Sequence, residues 1–154
     1  MLNRLGAVFE SLQRHDVRYV VIGGIAAILH GVPRATFDLD ILIDPSAENA
    51  RKLLDAFLDA GIGTASLTTA EEVLENEITV FKDRVRIDVM TATPGVSFAD
   101  AWEHRVSMSY QGRAFPVLSR VHVIQAKRAA GRPQDLEDVC ALELSPTSAE
   151  RTTT

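Results

Sequence analysis

Three groups of residues have types and spacings suited to phosphate chemistry. The first is Gly23-Gly24, which follows the β-branched apolar run Arg18–Ile22 and precedes a helical stretch, Ile25–His30. Glycines admit a ligand close to the backbone, and a strand-to-helix junction presents free N–H groups. The same pair also suits a plain turn with tight helix–strand packing. The second group is Asp38-Leu39-Asp40, within the alternating run Phe37–Ile43. Period-2 geometry puts both carboxylates on one face, with Cα atoms about 6.6 Å apart. Converging carboxylates repel unless a cation lies between them, and hard oxygen ligands suit Mg²⁺. Read as bare alternation, the same pair is a solvent-facing strand surface. The third is Asp88, the acid in Ile87-Asp88-Val89. By itself it is one more exposed carboxylate. If its strand pairs beside Phe37–Ile43, it joins Asp38 and Asp40 in a ring for one or two metal ions.

The elements that must position these residues follow from periodicity. Leu2, Leu5, Phe9 and Leu12 mark an amphipathic helix over 2–14. In Phe37–Ile43, the residues Phe37, Leu39, Ile41 and Ile43 point one way, and Asp38, Asp40 and Leu42 the other. Ser46 caps a helix over Ala47–Ala60, which Gly61 and Gly63 close. Residues 64–76 are ambiguous, with a short helix near Ala70–Glu75. Ile78–Phe81 and Val85–Met90 form a hairpin, with Arg84, Arg86, Asp88 and Met90 on its polar face. A short helix over Phe98–His104 precedes a second hairpin, Val106–Tyr110 and Ala114–Val117, turned at Gln111-Gly112. Ser119 caps a helix over Arg120–Ala130, and Asp135–Leu144 is the last helix. This order specifies a mixed α/β (α+β) fold, with a central sheet flanked by helices and short C-terminal helices. Residues 1–144 read as one domain, and 145–154 as a polar, disordered tail.

Composition narrows the function classes. Hydrophobic residues make up 46% and charged residues 24% of 154, so whole-chain disorder is excluded. The 16 Lys and Arg against 21 Asp and Glu give a net charge of −5, so bulk charge does not grip a polyanion. A nucleic-acid partner would need a local basic site. Arg113, Arg120, Lys127, Arg128 and Arg132 offer one near the C-terminus, or else a solvated helix face. The single cysteine, Cys140, precludes an intrachain disulfide and fits a reducing, cytoplasmic compartment. No signal peptide is expected at the N-terminus, and no run is long enough for a membrane span.

Taken together, Ile22-Gly23-Gly24, thirteen residues, Asp38-Leu39-Asp40-Ile41 and a later Ile87-Asp88-Val89 resemble the nucleotidyltransferase superfamily with the DNA-polymerase-β-like fold. The string from Gly23 through Arg34-Ala35-Thr36-Phe37 to Asp40 is similar to the AbiEii/MenT-type toxin branch and its small bacterial relatives. The resemblance implies that Gly23 and Gly24 cradle a triphosphate. It makes Asp38 and Asp40 ligands of Mg²⁺, two ions in the full site, with Mn²⁺ as a substitute. Asp88 becomes the general base for an acceptor hydroxyl or a ligand of the second ion. Arg34 and Thr36 fall beside the nucleotide, with Arg34 placed to pair with phosphate. Lys127 and Arg132, in Lys127-Arg128-Ala129-Ala130-Gly131-Arg132-Pro133-Gln134-Asp135, match a helix whose lysine reaches phosphate. Asp135 is either an N-cap or a partner orienting Lys127 or Arg132, and Asp138 is structural, paired with Arg132. His30 and Trp102 are read as a helix-end residue and as packing. The implied activity is transfer of a nucleoside monophosphate from an NTP to a hydroxyl on tRNA, a protein or a small molecule. A toxin–antitoxin role, an antitoxin partner and a homodimer are further expectations. Relatives of known activity carry an additional helical domain, and this chain stops soon after Leu144. The alternative is therefore a catalytically silent nucleotide-binding or toxin–antitoxin partner module on the same fold.

Overall fold

The computed structural model describes residues 2–144. The tail expected over 145–154 lies outside the described residues. Helix α1 (Leu2–Arg14) leads into strand β1 (Tyr19–Ile22), helix α2 (Gly23–Leu29) and strand β2 (Asp38–Ile43). Helix α3 (Ala47–Asp59) is followed by a 3₁₀ turn at Gly63–Leu67 and helix α4 (Ala70–Glu75), which resolves the ambiguity over 64–76. The hairpin β3 (Ile78–Lys82) and β4 (Arg86–Met90) precedes helix α5 (Phe98–Glu103). A second hairpin, β5 (Val106–Tyr110) and β6 (Arg113–Val117), leads to helices α6 (Arg120–Ala130) and α7 (Pro133–Leu144).

The six strands form one mixed sheet in the order β3-β4-β2-β1-β6-β5. Strand β2 runs antiparallel to β1 and parallel to β4, so the two acid-bearing strands are neighbours although α3 and β3 separate them in sequence. Leu39, Ile41, Ile43 and Ile87 are fully buried on one face. There α1 and α3 cover the sheet, with Phe9 stacked on Phe115 and Phe57 edge-on to Phe81. Helix α2 lies on the opposite, acid-bearing face, against β1, β2 and α6, and α7 packs on α6.

Local chemistry fixes the ends of these elements. Ser46 and Ser119 accept hydrogen bonds from Asn49 and His122 as N-caps, and Gly131 closes α6 in the left-handed region. Buried Asn49 bonds to Arg18 and Asp44, fixing the start of β1 to the end of β2. His30, 3% exposed, contacts the Leu118 carbonyl at 2.7 Å and docks α2 onto the β6–α6 junction. Phe37 departs from expectation. The strand begins at Asp38, and Phe37 is 81% exposed instead of sharing the core face with Leu39. Alternation holds only while the backbone stays in the ladder, and Phe37 precedes it.

Candidate active site

The in-register row Ile22–Asp40–Asp88–Val80 crosses β1, β2, β4 and β3. Asp40 and Asp88 therefore stand side by side on one face, meeting the condition under which Asp88 joins the pair. Asp38 lies one row away, beside Arg86. Arg86 donates from Nε to Asp88 at 3.0 Å and approaches Asp38 at 3.9 Å. Its guanidinium thus stands between two of the three carboxylates. Among the described residues no three His, Cys, Asp or Glu side chains are gathered as an ion cage.

Asp40 carries the electrostatic load of this row. Burial, then the charges of Asp88 and Asp38, push its carboxyl from 3.8 up to about 7, against the opposing pull of Arg86. Crowded carboxylates in a partly desolvated site favour a bound cation. The donor set is all hard oxygen, as Mg²⁺ or Mn²⁺ requires, so the residues fit a divalent ion once Arg86 yields its place.

Gly23 is required where it stands. Its φ is +68°, and a Cβ there would lie 2.2 Å from Asp40 Oδ2. At Gly24 a Cβ would lie 3.3 Å from Arg34 Nη2 and 3.4 Å from Thr36 Oγ1. The glycine pair, Arg34, Thr36 and Asp40 are thus in mutual proximity. A cavity of about 390 Å³ opens beside them, lined by Gly23, Asp40, Met90, Lys127, Arg132 and Asp135 among others. That volume suits a small organic ligand.

Of the expected cations, Lys127 and Arg132 line this cavity and Arg34 lies beside Gly24, and each already holds a carboxylate. Arg34 grips Asp138 through two hydrogen bonds, Nε at 3.1 Å and Nη2 at 2.8 Å. Lys127, 8% exposed, reaches Asp138 at 2.8 Å and Asp135 at 3.6 Å. Arg132 grips Asp135 through Nε at 2.7 Å, and its backbone N–H also donates to that carboxylate. The last helix begins at Pro133, two residues before the expected Asp135, so Asp135 lies inside its first turn and is not the N-cap; it holds both Lys127 and Arg132, the other expected role. The expected Asp138–Arg132 pair is not formed, because Asp135 takes Arg132 from the first turn of the same helix. Asp138 holds Arg34, Lys127 and Gln134 instead. Burial disfavours its charge, but hydrogen bonds from these three groups prevail and hold it at about 2.

Over residues 2–148 the sequence matches the family described as a nucleotidyltransferase of unknown function (DUF6036). The chain belongs to that family. No curated protein matches the sequence. Among solved structures it is similar to a proposed nucleotidyltransferase from Thermotoga maritima, with a TM-score of 0.59 and 20% identity over 90% of this chain and 89% of that one. At that identity the likeness is one of fold, and the mixed sheet with flanking helices is a nucleotidyltransferase fold.

Two features of this site go beyond its motifs. Arg86 was legible as a polar-face residue, and the Arg-x-Asp spacing along one strand was the signal that it could cover Asp88. Asp138 as the holder of Arg34 has no local signal, since 104 residues separate the two. The expected basic cluster is dispersed. Arg113 pairs with Glu10, Arg128 with Glu143, Arg132 with Asp135, and Lys127 is buried. Among the described residues no helix is long and apolar enough to cross a membrane, and Cys140 is exposed and unbridged.

Proposed function

We propose that this chain moves a nucleoside monophosphate from an NTP, ATP included, onto a hydroxyl, with a divalent ion as cofactor. One observation carries the reading. Asp40, in register with Asp88 and packed against Gly23, lines a cavity that Lys127 and Arg132 also line. Asp38, Asp40 and Asp88 would hold Mg²⁺ or Mn²⁺, in one or two sites. Such ions supply charge neutralisation at the reacting phosphate and at the leaving pyrophosphate. Gly23 and Gly24 let the triphosphate approach the backbone. Lys127, Arg132 and Arg34 supply positive charge to it, and Thr36 a hydroxyl. The acceptor oxygen uses a lone pair to form a bond to the α-phosphorus as the bridging P–O bond breaks and its electrons leave with pyrophosphate. The acceptor proton would pass to Asp88, whose carboxylate is supported for this role by its register with Asp40.

A second reading is favoured by the committed cations. Arg86 covers Asp38 and Asp88, and Asp138 and Asp135 hold Arg34 and Lys127. A catalytically silent nucleotide-binding or toxin–antitoxin partner module would keep such pairs permanently. On the active reading, the similarity to AbiEii/MenT-type toxins makes the chain a cytoplasmic toxin, held in check by an antitoxin or completed as a homodimer. Titration calorimetry of each NTP with Mg²⁺ tests the nucleotide site. One NTP is expected to bind only with the ion, and binding is lost in Asp38→Ala/Asp40→Ala. No binding of any NTP would sink the reading. Pyrophosphate release, absent in Asp88→Asn, separates the enzyme from the silent module.

A further inference from the structure

We propose that a second groove, on the Asp38 side of the acid row, seats the acceptor, and that the acceptor is the hydroxyl end of a single-stranded nucleic acid. This deepens the reading above and rests on it for the word acceptor. The groove has a volume of about 530 Å³ and is lined by Arg4, Phe37, Asp38, Lys82, Arg84 and Arg86 among others. Asp40 lines the cavity of about 390 Å³, whereas Asp38 lines this groove. The two acids project from the same face of β2, two residues apart, so their Cα atoms are about 6.6 Å from each other. Ligands seated in the two hollows therefore meet at the acids, as a donor and an acceptor must.

The chemistry of the groove selects its occupant. Arg4, Lys82 and Arg84 have no carboxylate partner within 4 Å among the described residues, although the chain carries a net charge of −5. The Arg84 guanidinium donates to the Ala60 carbonyl, which fixes its position and leaves its charge uncancelled. Asp83 also lines the groove, and its carboxylate accepts from the Arg84 backbone N–H. The cations of the C-terminal segment are, by contrast, paired or buried. Phe37, at 81% exposed, stands immediately before Asp38 and offers a bare ring where the chain could have buried one. Uncancelled cations interleaved with an exposed aromatic are what a single strand uses: phosphates meet the cations and an unstacked base lies on the ring. A duplex keeps its bases stacked and would leave Phe37 unused.

The test is fluorescence anisotropy of a labelled 12-nucleotide single-stranded RNA with the full chain, at several salt concentrations. Each protein is also titrated calorimetrically with NTP and Mg²⁺. Binding is expected to weaken with salt. Phe37→Ala is expected to weaken it about tenfold or more, and Arg4→Ala/Lys82→Ala to reduce the slope against log salt by about 1.4. NTP binding should not change, since neither variant touches the nucleotide cavity. Failure of the native chain to bind RNA, or binding indifferent to both variants, overturns the proposal. Equal competition by polyglutamate overturns it in favour of an acidic protein partner. RNA binding that depends on Phe37 and Lys82 without any NTP binding leaves the nucleic-acid groove standing, while the transfer reading fails.

Discussion

Asp40→Asn should make the unliganded protein more stable at pH 8. The native carboxyl titrates at about 7 rather than 3.8, because burial and the adjacent Asp88 and Asp38 disfavour its charge. With the folded value above the unfolded one, the native state binds the extra proton between pH 4 and pH 7. Stability from this group therefore falls as pH rises through that window and levels off above it. At about 1.4 kcal/mol per pH unit, the ceiling is about 4 kcal/mol. Asp40 borders an open cavity, so solvent screening reduces this to roughly 1–3 kcal/mol. For a chain of this size that is a rise in Tm of about 3–10 °C. Urea denaturation in EDTA at pH 8 and pH 4 gives the measurement. The variant should be the more stable at pH 8 and equal to the native chain at pH 4. With Mg²⁺ and the bound NTP at a hundredfold excess over its Kd, the native chain gains about 3 kcal/mol and the order reverses. A variant less stable at pH 8 would refute the reasoning, because Arg86 would then more than compensate the acid row.

Gly23→Ala is expected to cost roughly 1–3 kcal/mol and to abolish Mg²⁺-dependent NTP binding, because a left-handed alanine is strained and its methyl would meet Asp40. Gly112→Ala, equally left-handed at φ +79° but with nothing within 4 Å, should cost only about 1 kcal/mol and leave NTP binding intact. Asp138→Asn should destabilise by roughly 3 kcal/mol at pH 7, since it leaves Arg34 and buried Lys127 short of a counter-charge. The Asp138 contribution is present above pH 4 and fades as pH falls toward 2, so acid denaturation of the variant should be shallower over that range. Arg86→Ala should tighten Mn²⁺ binding without nucleotide about tenfold at pH 8, by uncovering Asp38 and Asp88. Weaker binding would show Arg86 to be a support of the ion site and not its competitor.

The elements were legible because their signals are local. Ser46 and Ser119 cap the helices that follow them, and Asp38 and Asp40 share a face because a strand has period 2. The adjacency of Asp88 was legible only as a condition, since no local rule says which strands pair. The parallel β2–β4 contact spans α3, α4 and β3. Phe37 was misread because alternation carries no marker of where a ladder begins. Charge partnership was the least legible property. A Lys or Arg in the sequence shows what it can bind, but the Arg34–Asp138 pair joins residues 104 apart, which no local rule reports.

That pairing pattern sets the energetics of ligand entry. A cation at the acid row displaces Arg86 from Asp88, so the exchange trades one partner of Asp88 for another rather than filling an empty site. Likewise a triphosphate that recruits Arg34 or Lys127 competes with Asp138, which both already hold. Only differential affinity drives such exchanges. Arg132, 77% exposed and on the cavity wall, is the cation that can turn to a phosphate at least cost, because its Asp135 retains Lys127. Nucleotide affinity should therefore fall more on Arg132→Ala than on Arg34→Ala, whereas stability should fall more on Arg34→Ala, which strips a partner from a carboxylate 1% exposed. Parallel calorimetry and urea denaturation of the two variants measure both orders. If Arg34→Ala proves the more damaging to NTP binding at unchanged stability, Asp138 is a store that releases its arginine to the nucleotide.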